Sequence, residues 1–137
     1  MELKLDKNDR YAVLTVEVEN LNAAVAPELK SSLVDLAKQD DTIHNLILDL
    51  SNVKFVDSSG LSAILVGQRL WKGANGSYVL AGVTSESVLK LIKISRLDNI
   101  LNVVPTISES IDLVMMEELE RELKGSEDES EEDGLGV

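Results

Sequence analysis

The chain of 137 residues has no cysteine and a single histidine, His44. Without cysteine there is no disulfide, no thiolate metal ligand and no thiol nucleophile. One histidine cannot assemble a zinc cluster and supplies no obvious general base, so His44 reads as an ordinary polar residue at the mouth of a strand. No apolar run approaches the roughly 20 residues of a membrane-spanning helix. No charged-then-apolar segment opens the chain either. These absences predict a cytoplasmic protein with no metal, no cofactor and no membrane insertion. A basic cluster is missing too: 13 Lys and Arg stand against 25 Asp and Glu, for a formal net charge of −12. Binding to a phosphate backbone needs clustered bases, so nucleic acid is not expected as a partner.

What is present suits an ordinary globular domain. Hydrophobic residues make up 44% of the chain, and at this length about two thirds of the unfolded surface can be buried. The acidity is uneven. Residues 126–137 carry six acids and no base, and residues 1–125 carry 19 acids and 13 bases. The folded part is therefore only mildly acidic, and the end reads by composition as a disordered acidic tail over 125–137.

Along the chain, Leu3 and Leu5, the polar turn Lys7-Asn8-Asp9-Arg10, and Tyr11 to Val18 predict an antiparallel hairpin. Pro27 suits a first helical turn, and Leu29, Leu33, Leu36 and Ala37 form the stripe of a helix ending near Gln39. Asn45 to Leu50 is a short apolar strand, and a second helix runs from Ser58 to about Lys72 before Gly73, Asn75 and Gly76 break it. Tyr78 to Gly82 reads as a strand, Thr84 or Ser85 caps a third helix, and Ile100 to Val104 reads as another strand. Thr106 and Glu109 have capping-box spacing and open a last helix carrying Ile111, Val114, Met115 and Leu119 on one face. After the hairpin, strands and helices alternate. Crossover connections then make a largely parallel sheet covered by helices, an α/β fold.

The candidate site is Phe55-Val56-Asp57-Ser58-Ser59-Gly60-Leu61. Asp57 sits where the second helix begins, and its carboxylate can accept from the free N–H groups of the first turn. Ser58 and Ser59 fall in that turn, at the positive end of the helix dipole, where a phosphate is accommodated. In most proteins such a sequence is only a helix cap. A nucleophile elbow would need a glycine two residues before Ser58 as well as Gly60 after it, but Val56 is there, and no second histidine exists to act as base. A phosphate-cradling loop lacks its glycines and lysine. A phosphorylated-aspartate receiver lacks the acidic pair, since the early strand ends in Val18-Glu19-Asn20. The expectation is that the protein is not an enzyme.

Leu48-Asp49-Leu50-Ser51-Asn52-Val53 followed by Phe55 to Leu61 resembles the signature of the STAS domain, the fold of bacterial anti-sigma factor antagonists. The similarity extends upstream over Leu21 to Leu29 and downstream over Leu80-Ala81-Gly82-Val83 and the final strand and helix, about residues 1–120. It implies a STAS domain over 1–124: a mostly parallel sheet of about five strands with an antiparallel N-terminal strand, covered by about four helices. It also implies partner switching in the control of transcription. Ser58 would be phosphorylated by a serine kinase that is itself the anti-sigma factor, and a serine phosphatase would reverse this. Ser59 is the less favoured acceptor. Asp57 and Gly60 would be the cap and neighbour of the phosphosite. The partner face of relatives maps to Asn22, Ala24, Ser59, Ser62 and Val66, although Val66 also fits the core by helical spacing. Ala63 and Gly67 suit close helix–sheet packing rather than binding. Two positions depart from the family pattern. Asn22 stands where Asp is usual, which removes a charge from the partner loop, and Val25 stands where Ser or Thr is common. The tail reads as a solubility segment or, alternatively, a mask for a basic partner surface. The competing reading is a STAS subunit of another complex, in phosphatase regulation or lipid transport, with no sigma factor.

Overall fold

The computed structural model describes residues 2–135, with side chains through residue 125. Strands β1 (Glu2–Lys7) and β2 (Ala12–Glu17) form the expected antiparallel hairpin, with Leu5 opposite Leu14. A two-residue strand β3 (Asn20–Leu21) precedes helix α1 (Ala26–Gln39) and strand β4 (Asn45–Asp49). Then come β5 (Phe55–Val56), helix α2 (Ser58–Gly73) and β6 (Ser77–Ala81). Helix α3 (Glu86–Ile94), a 3-10 turn (Leu97–Asn99), β7 (Asn102–Val103) and helix α4 (Ile107–Leu135) complete the chain. The tail expected at 125–137 lies, for its side chains, outside the described residues.

The main sheet has the order β1-β2-β4-β6-β7, antiparallel only between β1 and β2. This is the mixed α/β sheet expected. Its central strands are apolar on both faces because helices cover both. Leu46, Leu48, Tyr78 and Leu80 point into the larger core with Leu29 and Leu33 of α1, Leu61 and Ile64 of α2, and Val88 and Ile92 of α3. The alternate residues Ile47, Val79 and Ala81 meet Val114 of α4 on the other face. That division is the two-residue period of a strand applied to a two-sided core.

Two local departures have plain causes. The strand expected over Ile100 to Val104 shrinks to Asn102–Val103, because the Ile100 and Leu101 N–H groups both turn back to the Leu97 carbonyl and Pro105 has no N–H to give. Asn20-Leu21, which has no periodicity long enough to read, is a strand paired parallel with Phe55-Val56. The close packing expected at Gly67 is real. A Cβ built there would lie 2.3 Å from the Tyr78 ring, so only glycine lets α2 approach β6 this closely.

Candidate functional site

The site is built where the small β3–β5 ladder meets the start of α2. Lys54 and Phe55 N–H groups donate to the Glu19 carbonyl at 2.8 and 3.0 Å, which holds the approach to the helix against the end of β2. On the other side, the Ser85 hydroxyl donates to the Lys54 carbonyl at 2.6 Å while capping α3. The ladder puts Leu21 beside Val56, and the Asp57 N–H then donates to the Leu21 carbonyl at 3.2 Å.

Asp57 is the N-cap of α2, in extended conformation, and its carboxylate accepts the Gly60 N–H at 2.9 Å. Its carbonyl takes the Leu61 N–H, also at 2.9 Å. Ser58 is the first helical residue and is exposed; Ser59 follows, half-buried. Gly60 is buried, and a Cβ on it would fall 2.2 Å from the Leu21 carbonyl oxygen. The chain around Asn22 is therefore pressed directly against the first turn of α2.

Asn22 and Ala24 are exposed at the head of α1. The Asn22 side-chain oxygen accepts the Ala24 N–H at 3.0 Å, an Asx turn, and its carbonyl takes the Val25 and Ala26 N–H groups. Val25, the N-cap of α1, makes no side-chain cap, so Asn22 supplies the acceptors that start the helix. Asn22 and Ala24 thus sit on the loop that adjoins Asp57, Ser58 and Gly60. Ser59, Ser62 and Val66 lie at three- and four-residue steps on one flank of α2 and are half-buried, with Val66 packed against the core. Val66 thus takes the core role that its spacing allowed.

Phe55 opens the candidate stretch, but its sequence pattern assigns it no role. It is 56% exposed, two residues before the cap. Its partner across the ladder, Asn20, is exposed as well. The available signal was its place outside the buried Leu46-to-Leu50 run.

Chemically the site offers a reachable hydroxyl at a helix N-terminus and a carboxylate already engaged by the Gly60 amide. Among the described residues no cluster of three or more His, Asp or Glu could hold a metal ion. No described helix is long and apolar enough to cross a membrane.

Comparison with known proteins bears on the same fold. An anti-sigma factor antagonist from Mycobacterium paratuberculosis superposes with a TM-score of 0.71 at 19% identity, over 83% of this chain and 93% of the other. The Bacillus cell fate determinant SpoIIAA in its phosphorylated form gives 0.63 at 20% identity, over 82% and 99%. A sulfate transporter family protein from Wolinella succinogenes gives 0.62 at 18% identity, over 77% and 84%. At these identities the likeness is one of fold. The sequence itself matches the STAS domain family over residues 2–130, and the chain belongs to that family.

Proposed function

We propose that this protein is an anti-sigma factor antagonist that works by partner switching. Unphosphorylated, it binds an anti-sigma serine kinase through the Asn22–Ala24 loop and the flank of α2 bearing Ser59, Ser62 and Val66. Phosphorylation of Ser58 by that kinase releases it, and a serine phosphatase restores binding. The serine is the substrate of another protein's catalysis. The observation that carries this reading is the placement of Ser58, exposed at the first position of α2 and next to the loop of Asn22.

The physics supports a switch at the surface. A phosphate adds about −1.5 to −2 charges. At a helix N-terminus the fold tolerates it, because first-turn N–H groups and the dipole favour an anion. At a close interface the same charge must be desolvated or repelled, with Asp57 adding to the repulsion. A penalty of a few kcal/mol for an unpaired buried charge weakens binding about a hundredfold or more.

The first experiment is phosphopeptide mass spectrometry on protein from its native cells, resting and stressed. Cleavage after Lys54 and Arg69 isolates Ser58, Ser59 and Ser62 in one fragment. Phosphate on Ser58 that changes with condition supports the switch. In binding assays with the kinase so identified, Ser58→Ala is expected to bind constitutively and Ser58→Asp poorly; equal affinities would overturn the reading. A second reading draws on the shared fold of the sulfate transporter family protein. There the domain is a subunit of another complex, such as a phosphatase regulator or lipid transporter, and Ser58 stays unmodified in every condition.

A further inference from the structure

Two surfaces that share no residue with the Ser58 site complement each other. The first is the outer face of α4. Met116, Leu119 and Leu123 are 59%, 54% and 57% exposed, and their three- and four-residue spacing puts them in one stripe. Val114, on the opposite side of the helix, is buried against the sheet. The stripe is flanked by exposed Asp112, Glu120 and Glu122, with Lys124 the exposed base among the described residues of the helix. The sequence then adds six acids and no base over 126–137.

The second surface is an open groove between α3, the 3-10 turn, β7 and the start of α4. Its apolar lining comes from Leu89, Ile92, Leu101, Val103 and Leu113, and Ile94 and Ile100 beside it are 68% and 54% exposed. On the α3 and 3-10 side of this groove bases prevail. Lys90, Lys93 and Arg96 are exposed, outnumber Glu86 and Asp98, and have no ion-pair partner among the described residues.

We propose that the protein self-associates by laying the α4 stripe of one copy into the α3–β7 groove of another. Each surface alone is an unpartnered apolar face; together they match in charge and in length. The stripe spans about 10 Å and α3 about 13 Å at 1.5 Å rise per residue. Docking sets Lys90, Lys93 and Arg96 against Glu120 and Glu122. Pairing of α4 with α4 would instead bring acids onto acids, which costs affinity. Because each copy carries one stripe and one groove, the contact can be exchanged reciprocally in a dimer or propagate head to tail.

The test is sedimentation equilibrium on the full chain, in low and high salt. The wild type is expected to associate reversibly at about 10–100 µM, as small interfaces do, and to weaken as salt screens the charges. A stripe variant, Leu119→Gln with Leu123→Gln, keeps helix propensity. A groove variant, Lys90→Glu with Lys93→Glu, reverses the opposing charge. Each alone is expected to lose about tenfold or more in self-affinity, as the loss of central contacts does, with its circular dichroism unchanged. Mixed together they recover association, since one keeps the groove and the other the stripe. A wild type that stays monomeric across this range overturns the proposal. So does a groove variant that associates like wild type, which would mean α4–α4 pairing, or a folded mixture that fails to associate.

Discussion

At Gly60 a single methyl group would meet the backbone oxygen of Leu21, which no side-chain rotation can relieve. Gly60→Ala is therefore expected to push the β3 loop off α2 and destabilise the fold by about 1–3 kcal/mol, the range for overpacking. Urea unfolding checks this as a fall in midpoint at constant slope. Asn22 gives the opposite expectation. Its side-chain oxygen serves only as the acceptor of an Asx turn, and a carboxylate accepts the Ala24 N–H equally well. Asn22→Asp is expected to leave stability within about 0.5 kcal/mol and to change only the charge of the loop. Comparing its melting temperature with its partner affinity separates the two effects. Both the serine and its cap were legible in sequence, because capping is a three-residue relation. The contact of Gly60 with Leu21 was not.

The helices show what a stripe of side chains can and cannot announce. In α2 Leu61, Ile64 and Trp71 are buried, and Trp71 also donates its indole N–H to the Ile43 carbonyl at 3.1 Å. The gap left by Gly67 is filled by Tyr78, whose hydroxyl donates to the Ile64 carbonyl at 2.8 Å. Gly67→Ala must displace that ring and is expected to cost about 1–3 kcal/mol, read as a lower denaturation midpoint. In α4 half of the Thr106–Glu109 capping box forms: the Glu109 N–H donates to Thr106 Oγ1 at 3.1 Å, while Glu109 Oε2 accepts the Thr106 hydroxyl at 2.9 Å. Its anchor is different in kind. Arg121 donates to Ser77 Oγ and Asn45 Oδ1, both at 2.9 Å, and so satisfies two buried polar residues at the starts of β6 and β4. Arg121→Ala would take the guanidinium donor from Ser77 Oγ and leave Asn45 Oδ1 with the Ser77 N–H alone, and is expected to destabilise by about 1–3 kcal/mol.

At the scale of the whole molecule, Tyr78 and Asp40 tie stability to pH at opposite ends of the range. Burial pushes the Tyr78 hydroxyl far above its ordinary value. In the folded protein it stays neutral, while in the unfolded chain it ionises near about pH 10. Its effect is constant below that pH, and stability falls as pH rises beyond it. Tyr78 phenolate absorbance is thus expected to appear together with loss of circular dichroism, not before it. On the acid side, a hydrogen bond from Lys7, with help from Thr42, lowers Asp40 from 3.8 to about 2. That contribution is present above the unfolded value and is lost as pH falls from about 4 through about 2. Asp40→Asn should flatten this limb of an acid-unfolding curve.

The sequence by itself determined the alternation of strands and helices, the capped start of α2 at Asp57 and the buried stripes of α1 and α2, but not that of α4, where Leu119, expected on the face of Val114, is 54% exposed. These depend on residues within a turn or two of one another, where periodicity and capping act. It also carried the motif that implied the family. The tertiary structure decided the rest: that Asn20-Leu21 pairs with Phe55-Val56, that β7 is two residues long, and that Arg121 reaches Asn45 across 76 positions. It alone separated the two apolar faces of α4, since Val114 and Met116 look alike in sequence until a sheet covers one of them. Such contacts join segments distant along the chain, and their partners exist only once the layers have packed.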